Sequence, residues 1–240
     1  MSDPGRCFVR ALMARAPRPL LDLVPDDRQS MIDSDDELAR ALLDEPVASA
    51  ATRIWTNHRC LVASRNQARL PTFPFAVEAM RRAGWPVATR RSGGTTVIHR
   101  PGILNVSLTL SGEGGIAVET GYAALLRLLA DACRDIGLDA DSGCVDGAIC
   151  DGRFNLRHHG RKLAGTAAFV QSRAGRKVMV AHASVALDGS LANDLAAIRA
   201  FERALGREQD YAITAHTTLA AALHPAAGTE MPRRIWAATA

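Results

Sequence analysis

The chain has 240 residues, 48% of them hydrophobic and 22% charged, with a net charge of +4. That composition suits a globular fold able to bury a proper core, and it excludes a disordered or fibrous chain. The arginines are dispersed and aromatics make up only 5%, which argues against a nucleic-acid binder, and no apolar run approaches the roughly 18 residues of a membrane span.

In chain order, Arg6 to Arg15 is basic and amphipathic and lacks the apolar core and cleavage site of a secretory signal, so it reads as a surface helix packed on the domain. Residues 16–33 are rich in proline and aspartate and read as extended. Residues 1–33 are therefore assigned to an N-terminal arm and 34–240 to a single domain. Ser34-Asp35-Asp36-Glu37 has capping-box spacing and opens a helix that ends before Pro46. Trp55 to Ala63 reads as one strand, and Pro74 to Arg82 as a helix stopped by Gly84. Leu104, Val106, Leu108 and Leu110 alternate with Asn105, Ser107 and Thr109, the period of a strand with one buried face. Thr120 to Ile136 carries a broad apolar stripe closed by Gly137, a strong helix. Phe154 and Leu156 alternate in a strand, His159-Gly160 turns, and a second strand follows. Val178 to Leu187 is a strand, Asn193 to Leu205 a helix stopped by Gly206, and Thr217 to Leu223 a last short helix. Hairpins without a βαβ rhythm predict an α+β fold, a mixed and largely antiparallel sheet with helices packed on one side.

The five cysteines, Cys7, Cys60, Cys133, Cys144 and Cys150, are odd in number and form no C-x-x-C pair. No disulfide framework and no metal site is expected, and a reducing cytoplasm is the default compartment.

Three segments carry chemistry. Arg90-Arg91-Ser92-Gly93-Gly94-Thr95, with His99 beyond it, joins two strands. Paired glycines let a ligand approach the backbone, and an arginine there can clamp a carboxylate or phosphate, although a plain tight turn has the same look. Cys150-Asp151-Gly152-Arg153-Phe154-Asn155-Leu156 precedes Gly160-Arg161-Lys162-Leu163-Ala164-Gly165-Thr166-Ala167. Lys162 is one of two lysines among 29 basic residues, and a lysine kept in an arginine-rich chain suggests a need for a compact ammonium whose pKa moves on burial. Such a charge favours a thiolate at Cys150 and stabilises an oxyanion or a phosphate. In the third segment, Val180 to Val185, His182 reads as a packed, hydrogen-bonded strand residue unless it faces Lys162. A straight hairpin would put Lys162 opposite about Leu156 and leave Cys150 roughly 20 Å away, so the Cys150 loop must fold back over the sheet.

Together these segments resemble the lipoate branch of the biotin/lipoate protein ligase superfamily. Arg90, Ser92, Gly93, Gly94 and His99 match its R-R-x-S-G-G-G-x-x-x-H segment, Leu104-Asn105-Val106-Ser107 its N-x-S-type strand, and Lys162 the lysine of its G-R-K-(I/L)-(A/S)-G-(S/T)-A segment, over about residues 53–190. The chain departs at Thr95, in place of a third glycine, and at Thr89, Ala168 and Ala183. The stretch from Cys150 to Lys162 is similar to the octanoyl/lipoyl amidotransferases, C-x-G-x-[YF]-[DN]-L.

The resemblance implies the ligase-type catalytic fold and transfer of an octanoyl or lipoyl group to a lysine of a lipoyl-domain or glycine-cleavage-H-like acceptor protein. Cys150 would carry the acyl group as a thioester and Lys162 would polarise its carbonyl. Arg90, Ser92, Gly93, Gly94, Gly165, Thr166 and His182 would bind substrate, His99 and Asn105 would orient the lysine or acyl head, and the apolar faces of the Val106 and Val185 strands would form the acyl tunnel. The transferase needs no cofactor; the alternatives are a lipoate-protein ligase using ATP and Mg2+ to form lipoyl-AMP, or a degenerate binder of acylated proteins, with biotin ligation a more distant reading. Only about fifty residues follow the last motif strand, so no accessory C-terminal domain is expected, which favours a transferase or a ligase with a separate accessory protein. Nucleic acid and membrane are not expected partners.

Overall fold

In the computed structural model, which describes residues 3–113 and 116–224, two sheets line one cleft. The elements are α1 (Pro4–Arg15), β1 (Pro19–Asp22), α2 (Arg28–Asp44), β2 (Ser49–Trp55), β3 (Cys60–Ser64), α3 (Arg65–Ala68), α4 (Phe73–Arg82), β4 (Val87–Arg90), β5 (Val97–His99), β6 (Ile103–Glu113) and α5 (Val118–Asp135). They continue with β7 (Asp141–Ser142), β8 (Leu156–His158), β9 (Arg161–Arg173), β10 (Arg176–Ala186), α6 (Leu191–Ala204), a 3-10 turn (Ile213–Ala215) and α7 (Leu219–Leu223). The larger sheet runs β1-β2-β6-β10-β9-β8-β7, antiparallel throughout except for β1 beside β2. The smaller runs β4-β3-β5, with β3 parallel to β4 and antiparallel to β5. The α+β architecture follows the sequence patterning.

Strand alternation divides the work of the central strands. On β10, Met179, Ala181, Ala183 and Val185 enter the main core with Leu125, Leu129 and Cys133 of α5 and Leu104 and Val106 of β6. A fully buried aliphatic side chain contributes about 1.5–3 kcal/mol relative to exposure, so this layer is the main source of stability. On the opposite face Val178 and Val180 pack on Ala39, Leu42 and Leu43 of α2, and His182, Ser184 and Ala186 continue that face into the cleft. Helices therefore cover both faces of the sheet, not the one side expected, because β6 and β10 are buried on both faces. A second core joins Leu61 of β3 and Ile98 of β5 to Met80 of α4 and Ile198 and Phe201 of α6. No described helix is long and apolar enough to cross a membrane.

Several local readings change. Residues 4–33 are built into the fold and are not an arm: α1 buries Phe8 and Leu12 completely, and β1 pairs with β2. Helix α2 starts earlier than Ser34. Its cap is Asp27, whose carboxylate accepts from the amides of Gln29 (3.0 Å) and Ser30 (3.1 Å), whereas Ser34 lies mid-helix and donates to the Ser30 carbonyl at 2.9 Å. The strand expected from Trp55 to Ala63 breaks into β2 and β3, in different sheets. The break is held by Thr56 Oγ1 donating to the Leu23 carbonyl (2.9 Å) and Asn57 Nδ2 to that of Arg28 (3.0 Å). The strand read at Phe154 begins only at Leu156.

Asp35, read as part of a cap, anchors α2 to the sheet instead. It is buried, pairs with Arg53 Nη1 at 3.2 Å and accepts from Ser107 Oγ at 2.6 Å. Arg53 also donates to the Met31 carbonyl (2.6 Å) and to Asp22 (2.8 Å). Burial pushes the Asp35 carboxyl up, against the pull of Arg53 and Ser107. Removing one partner of a buried pair strands the other charge. Asp35→Ala is expected to cost about 3 kcal/mol in urea unfolding, and Asp35→Leu combined with Arg53→Met to recover most of it; an unchanged midpoint for Asp35→Ala would show that the pair does not hold α2.

Candidate active site

The β8–β9 hairpin sets the position of Lys162. His159 and Gly160 both have positive φ (47° and 71°), the geometry of a type I′ turn matched to strand twist. Lys162 then faces Arg157, close to the expected register, and Leu156 faces Ala164. Leu163 is thus one residue extra on β9, a bulge that re-aims the lysine. Gly165 leaves room for it: a Cβ there would lie 3.1 Å from both Cε and Nζ of Lys162.

The Cys150 loop does fold back. Lys162 Nζ donates to the carbonyls of Ile149 and Cys150, the latter at 3.1 Å. Burial lowers the Lys162 pKa to about 8, while Cys150 and Asp151 pull it upward. Cys150 is a non-glycine residue at φ 48°, a backbone state that persists only where the surroundings over-determine it. Asp151 supplies part of that restraint, accepting from the Val145 amide (2.8 Å) and Asn155 Nδ2 (2.7 Å). Thr166 Oγ1 supplies more by donating to the Phe154 carbonyl at 2.7 Å, so Thr166 holds the loop in place. Cys60 and Cys133 are buried thiols whose pKa values burial pushes up to about 12; Cys150 differs in being partly exposed and lining the cleft.

The glycine loop meets this thiol from the other side. The Thr95 amide donates to Cys150 Sγ at 3.2 Å. Gly94 has φ 93°, and a Cβ there would lie 2.6 Å from Sγ; Gly93 has open space at the same test. Arg90 lines the cleft and ties the loop to β3: Nη1 donates to the Val62 carbonyl of β3 (2.8 Å) and Nη2 to those of Gly93 (2.9 Å) and Thr95 (2.6 Å) in the loop, while its buried Nε has no partner among the described residues. It shapes the loop, and the carboxylate clamp read from sequence is not what its guanidinium does here. The next residue, Thr96, is tied to Glu202 of α6, whose Oε1 accepts from the Thr96 hydroxyl (2.6 Å) and amide (3.2 Å) and from Gln67 (2.8 Å).

The remaining expected residues fall away from Lys162. His182 pairs across the sheet with Ala167 and bonds to Ser92 Oγ at 2.7 Å. His99 Nδ1 lies 3.4 Å from Asn57 Nδ2, and its Nε2 is 3.5 Å from Ser184 Oγ, which donates to Asn105 Oδ1 at 2.7 Å. Burial lowers both histidine pKa values to about 3, with Arg90 adding to the effect, so both rings are neutral. Ser184 lies between His99 and Asn105, and among the described residues neither side chain is hydrogen-bonded to Lys162, whose Nζ bonds to the Ile149 and Cys150 carbonyls. Val106 and Val185 sit in the core against α5 and cannot form an acyl tunnel, because alternation turns them away from the cleft. The apolar wall is made instead by Ile98, Ile103, Ile149, Ala186, Leu195 and Ile198. The cavity volume of the cleft is about 130 Å³, and it opens to solvent. Sequence reasoning missed Glu202, His216 and Thr217: they carry no motif and reach the site only through tertiary contacts. Among the described residues, no three or more His, Cys, Asp or Glu side chains gather to hold a metal ion.

Comparison with known proteins places this geometry. The chain is 34% identical over 131 residues to an octanoyl-[GcvH]:protein N-octanoyltransferase of Exiguobacterium sibiricum, a match covering 55% of this chain and 47% of that protein. It is 27% identical over 175 residues to a lipoyl-[GcvH]:protein N-lipoyltransferase of Listeria monocytogenes, covering 72% of this chain and 61% of that one. The chain thus spans about half the length of such relatives. Its fold is like that of the bipartite lipoate protein ligase of Thermoplasma acidophilum, at TM-score 0.57 and 18% identity, over 87% of this chain and 81% of that one. The family model of the lipoyl protein ligase A/B catalytic domain matches residues 30–225. The chain belongs to that family.

Proposed function

We propose that this protein moves an octanoyl or lipoyl group between lysine side chains of carrier proteins, a GcvH-like protein and a lipoyl domain, through a thioester on Cys150. The observation that carries the reading is the meeting of three groups at one point: the Cys150 thiol, the Lys162 ammonium on that residue's own carbonyl, and the Thr95 amide on its sulfur. The names of the two transferase relatives, which couple the acyl group to GcvH, agree with it.

The Cys150 thiolate attacks the carbonyl carbon of the acyl-lysine amide. A C–S bond forms, the C–N bond breaks, and the carrier's amine leaves after taking a proton. The acceptor's ε-amine then attacks the thioester carbon; a C–N bond forms, the C–S bond breaks and the thiolate returns. One amide replaces another, so no external energy source is required. An ammonium has three N–H donors. Two of those on Lys162 hold carbonyls, leaving the third for the acyl oxygen as charge develops there. As the ammonium it gives a proton to the leaving amine, and a pKa of about 8 lets the resulting neutral amine take one back from the attacking acceptor amine, which restores the ammonium. The apolar wall from Ile98 to Ile198 receives the acyl chain, each buried methylene contributing about 0.8 kcal/mol. A reducing cytoplasm fits a chain whose cysteines are free thiols.

An adenylate route remains the second reading because Lys162 would equally face a phosphate and the fold is that of a ligase. It needs ATP and Mg2+.

Incubated with octanoyl-GcvH, the protein is expected to gain about 126 Da on Cys150, one acyl group in place of the thiol hydrogen, and Cys150→Ser to gain nothing and to transfer nothing. If Cys150→Ser instead modifies a lipoyl domain at the wild-type rate with lipoate and ATP, the thioester route is wrong and the adenylate route stands. Lys162→Arg keeps the charge and changes its shape; transfer is expected to fall about 100-fold. The wild-type rate should also decline as pH rises through about 8, where Lys162 loses its proton, and a flat profile up to pH 10 would remove the ammonium from the mechanism.

A further inference from the structure

We infer that His216 is a positioning residue for the Cys150–Lys162 pair: its ring holds the Ile149 peptide in the orientation that puts Cys150 beside the lysine. His216 lies after the last motif strand and is 5% exposed at the cleft. Its Nε2 is 3.0 Å from the Ile149 amide, which donates to it, and its Nδ1 is 2.9 Å from the Ala212 carbonyl. These two partners fix the ring. The amide can only donate, so Nε2 is an acceptor; the carbonyl can only accept, so Nδ1 carries the proton. The ring is neutral, in one tautomer, with both nitrogens occupied.

The backbone around His216 closes a loop of contacts through the site. His216 and Lys162 form a parallel bridge, and the Thr217 amide donates to the Lys162 carbonyl at 2.9 Å. Ala212 donates to the Gly147 carbonyl at 2.8 Å, holding the same segment to the start of the Cys150 loop. From the backbone of Lys162 the path runs to His216, through its ring to the Ile149 amide, along the chain through the Ile149 α-carbon to the Ile149 and Cys150 carbonyls, and back to Lys162 through Nζ. The histidine fixes the N–H side of Ile149 while the lysine fixes the carbonyls on either side of the Cys150 nitrogen. Without the ring, a partly buried amide loses its acceptor, and the left-handed Cys150 backbone loses one of the restraints that keep it there. Sulfur would then no longer be held at the Thr95 amide.

The role of His216 rests on the Cys150 reading for its meaning, but its test does not depend on acyl transfer. Glutamine can place an oxygen near the position of Nε2, and asparagine can place a nitrogen near Nδ1. His216→Gln therefore keeps the acceptor for Ile149, whereas His216→Asn keeps the donor to Ala212 and loses that acceptor. The rate and pH dependence of Cys150 alkylation by iodoacetamide are measured for both, beside their thermal midpoints and their acyl-enzyme formation with octanoyl-GcvH. His216→Gln is expected within about threefold of wild type, and His216→Asn to be slowed about tenfold or more, with its alkylation midpoint moved to higher pH. Equal alkylation by the two variants, whether both wild-type or both slowed in step with a lost thermal midpoint, overturns the inference. A clear difference between them without any acyl adduct on wild-type Cys150 leaves the positioning role intact and removes the thioester function.

Discussion

The contact on which the site depends is a desolvated ammonium held by two consecutive backbone carbonyls. Lys162 Nζ reaches the oxygens of Ile149 and Cys150, and in doing so ties a loop to a hairpin strand from which the chain would otherwise lead it away. A buried charge without partners is costly; two carbonyl dipoles repay part of that cost and the remaining penalty appears as the lowered pKa. The same contact fixes the thiol, because the carbonyls belong to the residues on either side of the Cys150 amide nitrogen. Charge and thiol are thus one mechanical unit.

Around that unit, the two-residue period of the sheet separates stability from chemistry. One face of β6 and β10 is a continuous aliphatic layer under α5. The other changes character along its length, from Val178 and Val180 beneath α2 to His182, Ser184 and Ala186 in the cleft. The polar cleft face is tolerated because its groups bond to each other: His182 with Ser92, His99 with Asn57 and Ser184, Ser184 with Asn105. Those histidines stay neutral, so they furnish a rigid wall without adding charge to a site that already holds Lys162.

What was legible in the sequence was local. The His159-Gly160 turn, the helices ending at Gly84, Gly137 and Gly206, and the alternation of β6 each depend on neighbours within a few residues. Cys150 and Lys162 pair as candidates through the chemistry of a thiol and an ammonium close in sequence, and the spacing of a known motif adds to that. The failures share a cause. Ser34 to Glu37 satisfies a capping pattern, yet Asp27 is the cap, its carboxylate taking the amides of Gln29 and Ser30, and Asp35 is claimed by Arg53 and Ser107, which are distant in sequence. Arg90 reads as a ligand clamp, yet its two terminal nitrogens hold carbonyls of β3 and the glycine loop. Val106 and Val185 have the hydrophobicity of a tunnel wall, but which face of a strand meets a cleft is decided by what packs on the other face. His216 has no motif at all; only the bridge to Lys162 brings it to the site.

Arg90 and Lys162 explain each other's identity. Arg90 spans carbonyls of Val62, Gly93 and Thr95, acceptors spread over β3 and the glycine loop, and a planar fork with fixed donor directions is the side chain that reaches all three. Lys162 faces two carbonyls one residue apart in a pocket whose floor is Gly165, where even a Cβ would stand 3.1 Å from the ammonium. A guanidinium is a wider, planar group and keeps its proton at every working pH. In a chain that otherwise uses arginine for all but one of its basic positions, the space left by Gly165 suits a compact ammonium at this one, where burial lowers its pKa to about 8.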